Sequence, residues 1–404
     1  RMVIKNEERR VTVIALITAA CILGDAMLFI VLPIYWESFG LTSLWQVGVL
    51  LSANRLIRLP INPLVGWFYR HLDKRTGVTI AIILASISTL SYGLFTGFAI
   101  LLVMRCLWGV AWSLLRLGGF LTVIEVAQTH NRGQLIGRYN GLWGLGGLVG
   151  VLAGGFLADL VSISFVTTIF AIISLASLPI ALKYVPKTKG KDEETDENTD
   201  EKQSYWKNRQ VWAVLLTGVI MAMVVMGIFY STLSHLVEIH LTTDIVILGL
   251  VIGAASISGL LQAVKWGWDP FLAPLIGKFS DGKIGRIPML VFVFFATGIL
   301  FYLFTLNISM LTLLGLLLVF QFMSTIFMTV TDSLATDVAS ATSKVGVMTS
   351  YTIAVDVGSA LGPLLGYVIV DFLSLEVLYL LTALLLIVGG ALWLLRLKRG
   401  SKLV

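Results

Sequence analysis

Twelve apolar stretches, each roughly long enough to cross a bilayer, constrain this chain most strongly. A helix that spans a membrane needs about 20 apolar residues. The chain is 57% hydrophobic and 13% charged, with a mean hydropathy of +0.92, which is more apolar surface than a soluble fold can bury. The pattern predicts an all-α membrane protein with twelve transmembrane helices at approximately 12–36, 44–66, 77–96, 98–125, 139–160, 163–184, 211–234, 245–275, 288–306, 309–330, 345–370 and 374–396.

The loops between these stretches differ in charge from one side to the other. One set carries nearly all the Lys and Arg that lie outside the apolar segments, and the opposite set carries acidic residues only: Glu37, Glu238, Asp244, Asp371 and Glu376. Cytoplasmic loops hold the excess of Lys and Arg. We therefore expect a multi-pass protein of the cytoplasmic membrane with both termini in the cytoplasm. The net charge of +6 is explained by this topology, so no nucleic-acid partner is expected.

The chain repeats itself in parallel at a nearly constant offset. Pro63 and Gly66 correspond to Pro274 and Gly277, and Glu125 corresponds to Asp337. A polar segment separates the two copies. The sequence thus predicts a six-helix bundle over 1–186, a cytoplasmic linker over 187–210 and a second six-helix bundle over 211–404, related by pseudo-symmetry. Substrate sites in such duplicated folds lie between the halves near mid-membrane.

Glycines recur every fourth position in the fifth apolar segment and again in the eleventh. Such spacing clears one face of a helix, so that a second helix can approach to backbone contact. The predicted packing motif comprises Gly146, Gly150, Gly154, Gly155, Gly358, Gly362 and Pro363.

Four motifs resemble those of the major facilitator superfamily over nearly the whole chain. The loop from Gly277 to Arg286 looks like the family's signature cytoplasmic loop, and the loop from Gly66 is a degraded copy with Tyr69 where an acid is usual. Arg105-Cys-Leu-Trp-Gly resembles the helix-4 motif, and the helix-5 glycines match the spacing associated with antiporters, with Val151 in place of its proline. The resemblance implies a twelve-helix transporter that works by alternating access.

Charged residues inside the predicted helices point to a substrate site. Arg55 and Arg58 share one helix face, and Lys265 and Asp269 share one on the equivalent helix of the second half. Arginine can hold a carboxylate or phosphate with two hydrogen bonds. We expect Arg55, Arg58, Lys265, Asp269, Trp112 and Trp266 to bind an amphipathic anion or zwitterion, with an Arg58–Asp269 contact across the cavity. Structural ion pairing and ordinary aromatic packing are the competing interpretations.

Asp25, mid-helix in the first span, is the candidate proton carrier, with Arg105 as its counter-charge and Asp356 as the second candidate. A static Asp25–Arg105 pair is the alternative. Charge is costly in the bilayer, so these residues should face partners or an aqueous cavity. By family analogy, Asp281, Glu125, Arg132, Asp337 and Lys344 form a cytoplasmic gate. Arg116 either lines the inner end of the cavity or pairs with Glu125.

No enzymatic, phosphate-binding or dinucleotide motif occurs in the sequence, and His235, Glu238 and His240 do not share one helix face as metal ligands would. We therefore expect a non-enzymatic monomer in a lipid bilayer, without a cofactor and with the proton gradient as energy source. The leading hypothesis is a proton-coupled exporter of an amphipathic anionic or zwitterionic metabolite or drug. An uptake symporter or facilitator of an organic anion, and a lipid-headgroup translocase or sensor, remain open.

Overall fold

The computed structural model describes residues 2–126, 132–188, 205–242, 245–247, 249–282, 284–342 and 344–398. Within these ranges the chain forms twelve long helices: α1 Met2–Val31, α2 Leu44–His71, α3 Lys74–Leu94, α4 Phe98–Val126, α5 Arg132–Leu160, α6 Ile163–Tyr184, α7 Arg209–His240, α8 Ala254–Asp281, α9 Arg286–Phe304, α10 Met310–Ala341, α11 Lys344–Phe372 and α12 Leu375–Lys398. Helix α7 includes a π-helical segment, Ala222–Phe229. The predicted all-α class is confirmed.

Ten of these helices are long and apolar enough to cross a membrane within the described part of the chain. The two that fall outside this set are α2 and α8, whose middle turns carry several polar side chains, including Arg55 and Arg58 in one and Lys265 and Asp269 in the other. Because charge inside a bilayer is kept only where a cavity or partner receives it, these two helices are where a site is to be sought.

The predicted eighth span is wrong at its start. Residues 245–252 contain a small antiparallel hairpin in which β1 (Ile245–Ile247) pairs with β2 (Leu250–Ile252), and the helix begins only at Ala254. β-branched side chains favour strands, and Gly249 adopts a left-handed φ of 80° that turns the chain between them. The apolar character of this stretch is typical of a span, but its residues favour a hairpin.

The chain forms two compact units. The first comprises residues 1–42, 49–195 and 237–266, and the second comprises 43–48, 196–236 and 267–404. The predicted linker lies largely within 189–204, outside the described residues. The predicted division at 186 and 211 stays a prediction.

Glycines mediate close helix contacts in each unit. In the first, a β-carbon at Gly146 would lie 2.6 Å from the Ala19 Cα, and one at Gly150 would lie 2.8 Å from the Leu23 carbonyl oxygen, both in α1. In the second, a β-carbon at Gly358 would lie 3.0 Å from the Val219 Cα, and one at Gly362 would meet the Met223 carbonyl oxygen at 2.6 Å. Helix α5 on α1 is thus repeated as α11 on α7.

Candidate functional site

A buried arginine joins the first four helices. The Arg105 Nη1 of α4 lies 2.5 Å from the Asp25 Oδ1 of α1, and its Nε donates to the Leu50 carbonyl oxygen of α2 at 2.8 Å. Its Nη2 donates to the Asn54 Oδ1 at 2.8 Å, and Nη1 is also 3.4 Å from the Tyr92 hydroxyl of α3. The guanidinium therefore has a partner on each of α1, α2 and α3.

The two members of this ion pair differ in exposure. The Arg105 side chain is 1% exposed, whereas that of Asp25 is 16% exposed. A buried ion pair is stable only when its remaining donors are also satisfied, and removing one partner costs about 3–5 kcal/mol. The backbone carbonyl of Leu50 and the amide of Asn54 hold the guanidinium in place, so the carboxyl is the member that water can reach.

The predicted α2 arginines lie close to Asn54 in sequence and are both half-buried. The guanidinium carbon of Arg55 lies 4.9 Å from the centroid of the Phe29 ring of α1. Such a cation–π contact contributes about 0.5–2 kcal/mol, more when water is excluded. Arg58 follows one turn later.

Four tryptophans form a continuous row in the first unit. The Trp108 and Trp112 ring centroids are 5.8 Å apart, Trp112 and Trp143 meet edge to face at 5.1 Å, and Trp143 and Trp266 do so at 6.5 Å. Gly144 and Gly147 make room for Trp266, since a β-carbon at Gly147 would touch its ring at 3.5 Å. The structure thus places both predicted tryptophans, Trp112 and Trp266, in one aromatic row.

Arg116 covers this row. Its guanidinium carbon lies 5.6 Å from the Trp112 ring centroid, 5.3 Å from Trp143 and 4.8 Å from Phe120. Asn140 accepts a hydrogen bond from the Trp143 Nε1 at 3.1 Å and lies 3.4 Å from the Arg116 Nη1. Arg116 therefore stacks on aromatic faces, as its planar group favours. Glu125, its alternative partner in the sequence-based prediction, pairs with a lysine.

In the second unit, the predicted acid on α8 has a partner on α10. The Thr325 hydroxyl donates to the Asp269 Oδ1 at 2.5 Å. Asp356 of α11 is half-buried, and its main-chain carbonyl accepts from the Ser359 hydroxyl at 3.0 Å. Lys265 and Arg58 belong to the first unit and Asp269 to the second, so the predicted Arg58–Asp269 contact stays a prediction.

Two ion pairs at the helix ends occupy equivalent positions in the internal repeat. The fully buried Lys74 of α3 pairs with Glu125 of α4, which also accepts from the Thr188 hydroxyl at 3.2 Å. Arg286 of α9 pairs with Asp337 of α10, with the Arg286 Nη2 3.1 Å from the Asp337 Oδ1. Lys74 corresponds to Arg286 in the repeat, just as Glu125 corresponds to Asp337. Glu125 and Asp337 were predicted to gate, and their partners were missed although the repeat relates them.

Three further gate residues are placed only in part. Arg132 begins α5, Lys344 begins α11 and Asp281 ends α8, and the side chains of all three lie outside the described part of the structure. Tyr69, which stands where the resembled family usually has an acid, is buried and donates a hydrogen bond to the Leu114 carbonyl oxygen at 2.7 Å. It therefore ties α2 to α4.

The family model described as Major Facilitator Superfamily matches residues 14–268 and 270–403, which is nearly the whole chain. The chain belongs to the major facilitator superfamily. This is a family of membrane transporters rather than enzymes, as the sequence predicts. Within the described residues, no group of three or more His, Cys, Asp and Glu side chains is arranged to hold a metal ion.

Individual relatives agree with this assignment. An uncharacterized MFS-type transporter of Methanocaldococcus jannaschii is 25% identical over 97% of this chain and 99% of its own length. The quinolone resistance protein NorA of Staphylococcus aureus is 27% identical over 137 residues, which cover 34% of this chain and 35% of NorA.

Solved structures show the same fold. A bacterial homolog of the human lysosomal transporter Spinster, in an inward-facing and occupied conformation, superimposes with a TM-score of 0.78 at 15% identity over 96% of both chains. A POT family transporter in complex with a thioalcohol-conjugated peptide gives 0.72 at 9% identity, over 98% of this chain and 96% of that one. At these identities the likeness describes the fold alone.

Proposed function

We propose that this transporter is a proton-coupled exporter of amphipathic anions or zwitterions in the cytoplasmic membrane, with both termini in the cytoplasm. The observation that carries the proposal is the Asp25–Arg105 pair, with a partly exposed carboxylate against a buried, extensively hydrogen-bonded guanidinium. A proton can reach the acid, whereas the base cannot leave its position. Protonation of this one side chain therefore changes the charge balance among four helices.

The proton and the substrate alternate in the proposed cycle. With Asp25 ionised, the pair with Arg105 is intact and α1 is held against α4. Protonation neutralises Asp25 and leaves the arginine with its bonds to Leu50 and Asn54, so α1 is released from α4. In this cycle the substrate binds only the state in which the Asp25–Arg105 pair is intact. Substrate binding from the cytoplasm therefore releases the proton, and a proton arriving from outside releases the substrate, which exchanges one for the other.

The basic and aromatic side chains of the first unit supply the proposed recognition. Arg55 and Arg58 offer planar cations to a carboxylate, and the half-buried Trp112, Trp143 and Trp266 offer apolar faces to a planar ring. A quinolone, which combines an aromatic ring system with a carboxylate and usually an amine, has this chemistry. The partial similarity to a quinolone resistance protein supports export over uptake and makes a quinolone a reasonable probe.

The direct test is accumulation of a fluorescent quinolone in inverted vesicles with a respiration-driven pH gradient. We expect uptake that collapses with a protonophore, falls at least tenfold in Arg58→Ala and persists in Arg70→Ala, which changes an exposed arginine later in the same helix. Equal uptake in both variants would remove Arg58 from recognition. Quinolone uptake that requires right-side-out vesicles would contradict export, and transport of lipophilic cations alone would contradict the substrate class.

A further inference from the structure

Two aspartates at equivalent positions of the internal repeat bind the starts of two other helices. Asp159 lies in the last turn of α5 and Asp371 in the last turn of α11. The Asp159 Oδ2 accepts from the backbone N–H of Gly253 at 3.1 Å and of Ser256 at 2.8 Å, at the start of α8. The Asp371 Oδ1 accepts from the backbone N–H of Leu44, at the start of α2, at 3.2 Å.

The same two pairs of helices, α5 with α8 and α11 with α2, make a second contact further along α8 and α2. Gly259 of α8 lies against the Val151 carbonyl oxygen of α5, and Gly48 of α2 lies against the Pro363 carbonyl oxygen of α11. Glycine is required at both places because a β-carbon would overlap the facing backbone. Gly48 corresponds to Gly259 in the repeat and Val151 to Pro363, so both contacts and both aspartates follow the duplication.

The first N–H groups of a helix have no partner within the helix, and its N-terminus carries partial positive charge. A carboxylate from another helix therefore binds there both by hydrogen bonds and by charge. Asp159 is the more extensively bonded of the two, since the Ser256 hydroxyl donates to its Oδ2 at 2.6 Å and the Tyr35 hydroxyl donates to its Oδ1 at 2.6 Å.

We propose that Asp159 and Asp371 are a symmetric pair of positioning residues that keep the distal side of the transporter closed and must release during each cycle. The distal side is the one opposite the N-terminus, where successive spans place the last turns of α5 and α11. This role of the two aspartates does not depend on the substrate or on the direction of transport. The glycine contacts between these helices are apolar. The hydrogen bonds that fix how the helices are oriented against each other therefore come from the two carboxylates.

The test uses a cysteine introduced at Gln262, a buried residue of α8, in a background with Cys21→Ala and Cys106→Ala. A membrane-impermeant maleimide is applied to each face of the membrane in separate vesicle samples, without substrate. We expect Asp159→Ala to speed labelling from the distal face about 2- to 30-fold, the equilibrium shift that loss of one helix cap produces. Asp371→Ala should act in the same direction but less, because among the described residues Asp371 accepts one hydrogen bond, at 3.2 Å, where Asp159 accepts four.

Ser256→Ala keeps the backbone N–H and removes one donor to Asp159, so it should show a smaller increase and serves if Asp159→Ala does not fold. Glu376→Ala, an acid in the first turn of α12, is the matched control and should label like the parent. Labelling unchanged in Asp159→Ala and in Ser256→Ala would overturn the proposal. Because no transport substrate is present, that result would leave proton-coupled export unaffected.

Discussion

Two glycines of α5 provide a matched pair that tests the close helix packing. A β-carbon at Gly146 would lie 2.6 Å from the Ala19 Cα and 2.7 Å from its carbonyl carbon, both backbone atoms of α1. At Gly141, earlier in the same helix, no atom of the described residues outside the adjoining turns of α5 lies within 4 Å of the added carbon. The same substitution, Gly to Ala, is therefore obstructed at one position and unobstructed at the other.

The magnitude follows from that difference. Real β-carbons stay at least 3.0 Å from other atoms, so Gly146→Ala must move the Ala19 Cα, carbonyl carbon and carbonyl oxygen away, and none of these three atoms belongs to a flexible side chain. Overpacking of this kind costs about 1–3 kcal/mol. The gain in helix propensity on replacing glycine, up to about 1 kcal/mol, is common to both variants and cancels in the comparison.

We therefore expect Gly146→Ala to be less stable than Gly141→Ala by about 1–3 kcal/mol. For a chain of this length, about 1 kcal/mol corresponds to roughly 1 °C in the unfolding midpoint. Thermal unfolding of the detergent-purified variants, scanned at one rate because membrane proteins often unfold irreversibly, measures the difference. Equal midpoints, or a lower midpoint for Gly141→Ala, would refute the inference that the Gly146 face is in backbone contact with α1.

Two further predictions concern charged groups at the helix ends. Glu125→Gln should destabilise the protein by about 3–5 kcal/mol, because it leaves the fully buried Lys74 without its counter-charge. Asp337→Asn should cost at most about 1 kcal/mol, because the side chains of Arg286 and Asp337 are both partly exposed, at 23% and 46%. Urea or thermal unfolding measures both losses, and equal losses would contradict the role assigned to burial. Asp73→Ala should cost about 0.5–2 kcal/mol, since its carboxylate caps α3 by accepting from the Thr76 N–H at 2.7 Å. That hydrogen bond lowers the pKa of Asp73 in the folded state. The contribution of Asp73 to the free energy of unfolding is therefore present above the unfolded-state pKa, near 4, and is lost as the pH falls through the lower folded-state pKa. A difference in stability between wild type and Asp73→Ala that does not change with pH would contradict this.

Local patterns in the sequence were sufficient for the helices and for the symmetric glycine contacts. The span 163–184 coincides with α6, and the four-residue glycine steps mark the faces on which α5 and α11 approach their neighbours. Asp25 and Arg105 could be paired from sequence because few charges lie at mid-membrane depth. The hairpin before α8 was not predicted, since an apolar, β-branched run resembles the start of a membrane helix.

Contacts between helices could not be predicted from local sequence patterns where they depend on how the helices are rotated and offset against each other. Glu125 had basic residues available at Arg116 and Arg132, and the structure selects Lys74, which is distant in sequence. Asn54 was missed because an amide carries no charge to mark it, and Asp159 because its partners lie far along the chain at the start of another helix. The internal repeat, or a charged residue next in sequence, was the feature of the sequence that could have drawn attention to each of these residues.

Substrate-induced proton release from the purified protein measures whether one proton is exchanged through Asp25. A saturating quinolone is added in weakly buffered detergent solution with a pH-sensitive dye, to wild type, Asp25→Asn and Asp25→Glu. We expect release of about one proton in wild type and in Asp25→Glu, and none in Asp25→Asn even where the quinolone still raises its thermal stability. Undiminished release from Asp25→Asn would show that another residue carries the proton.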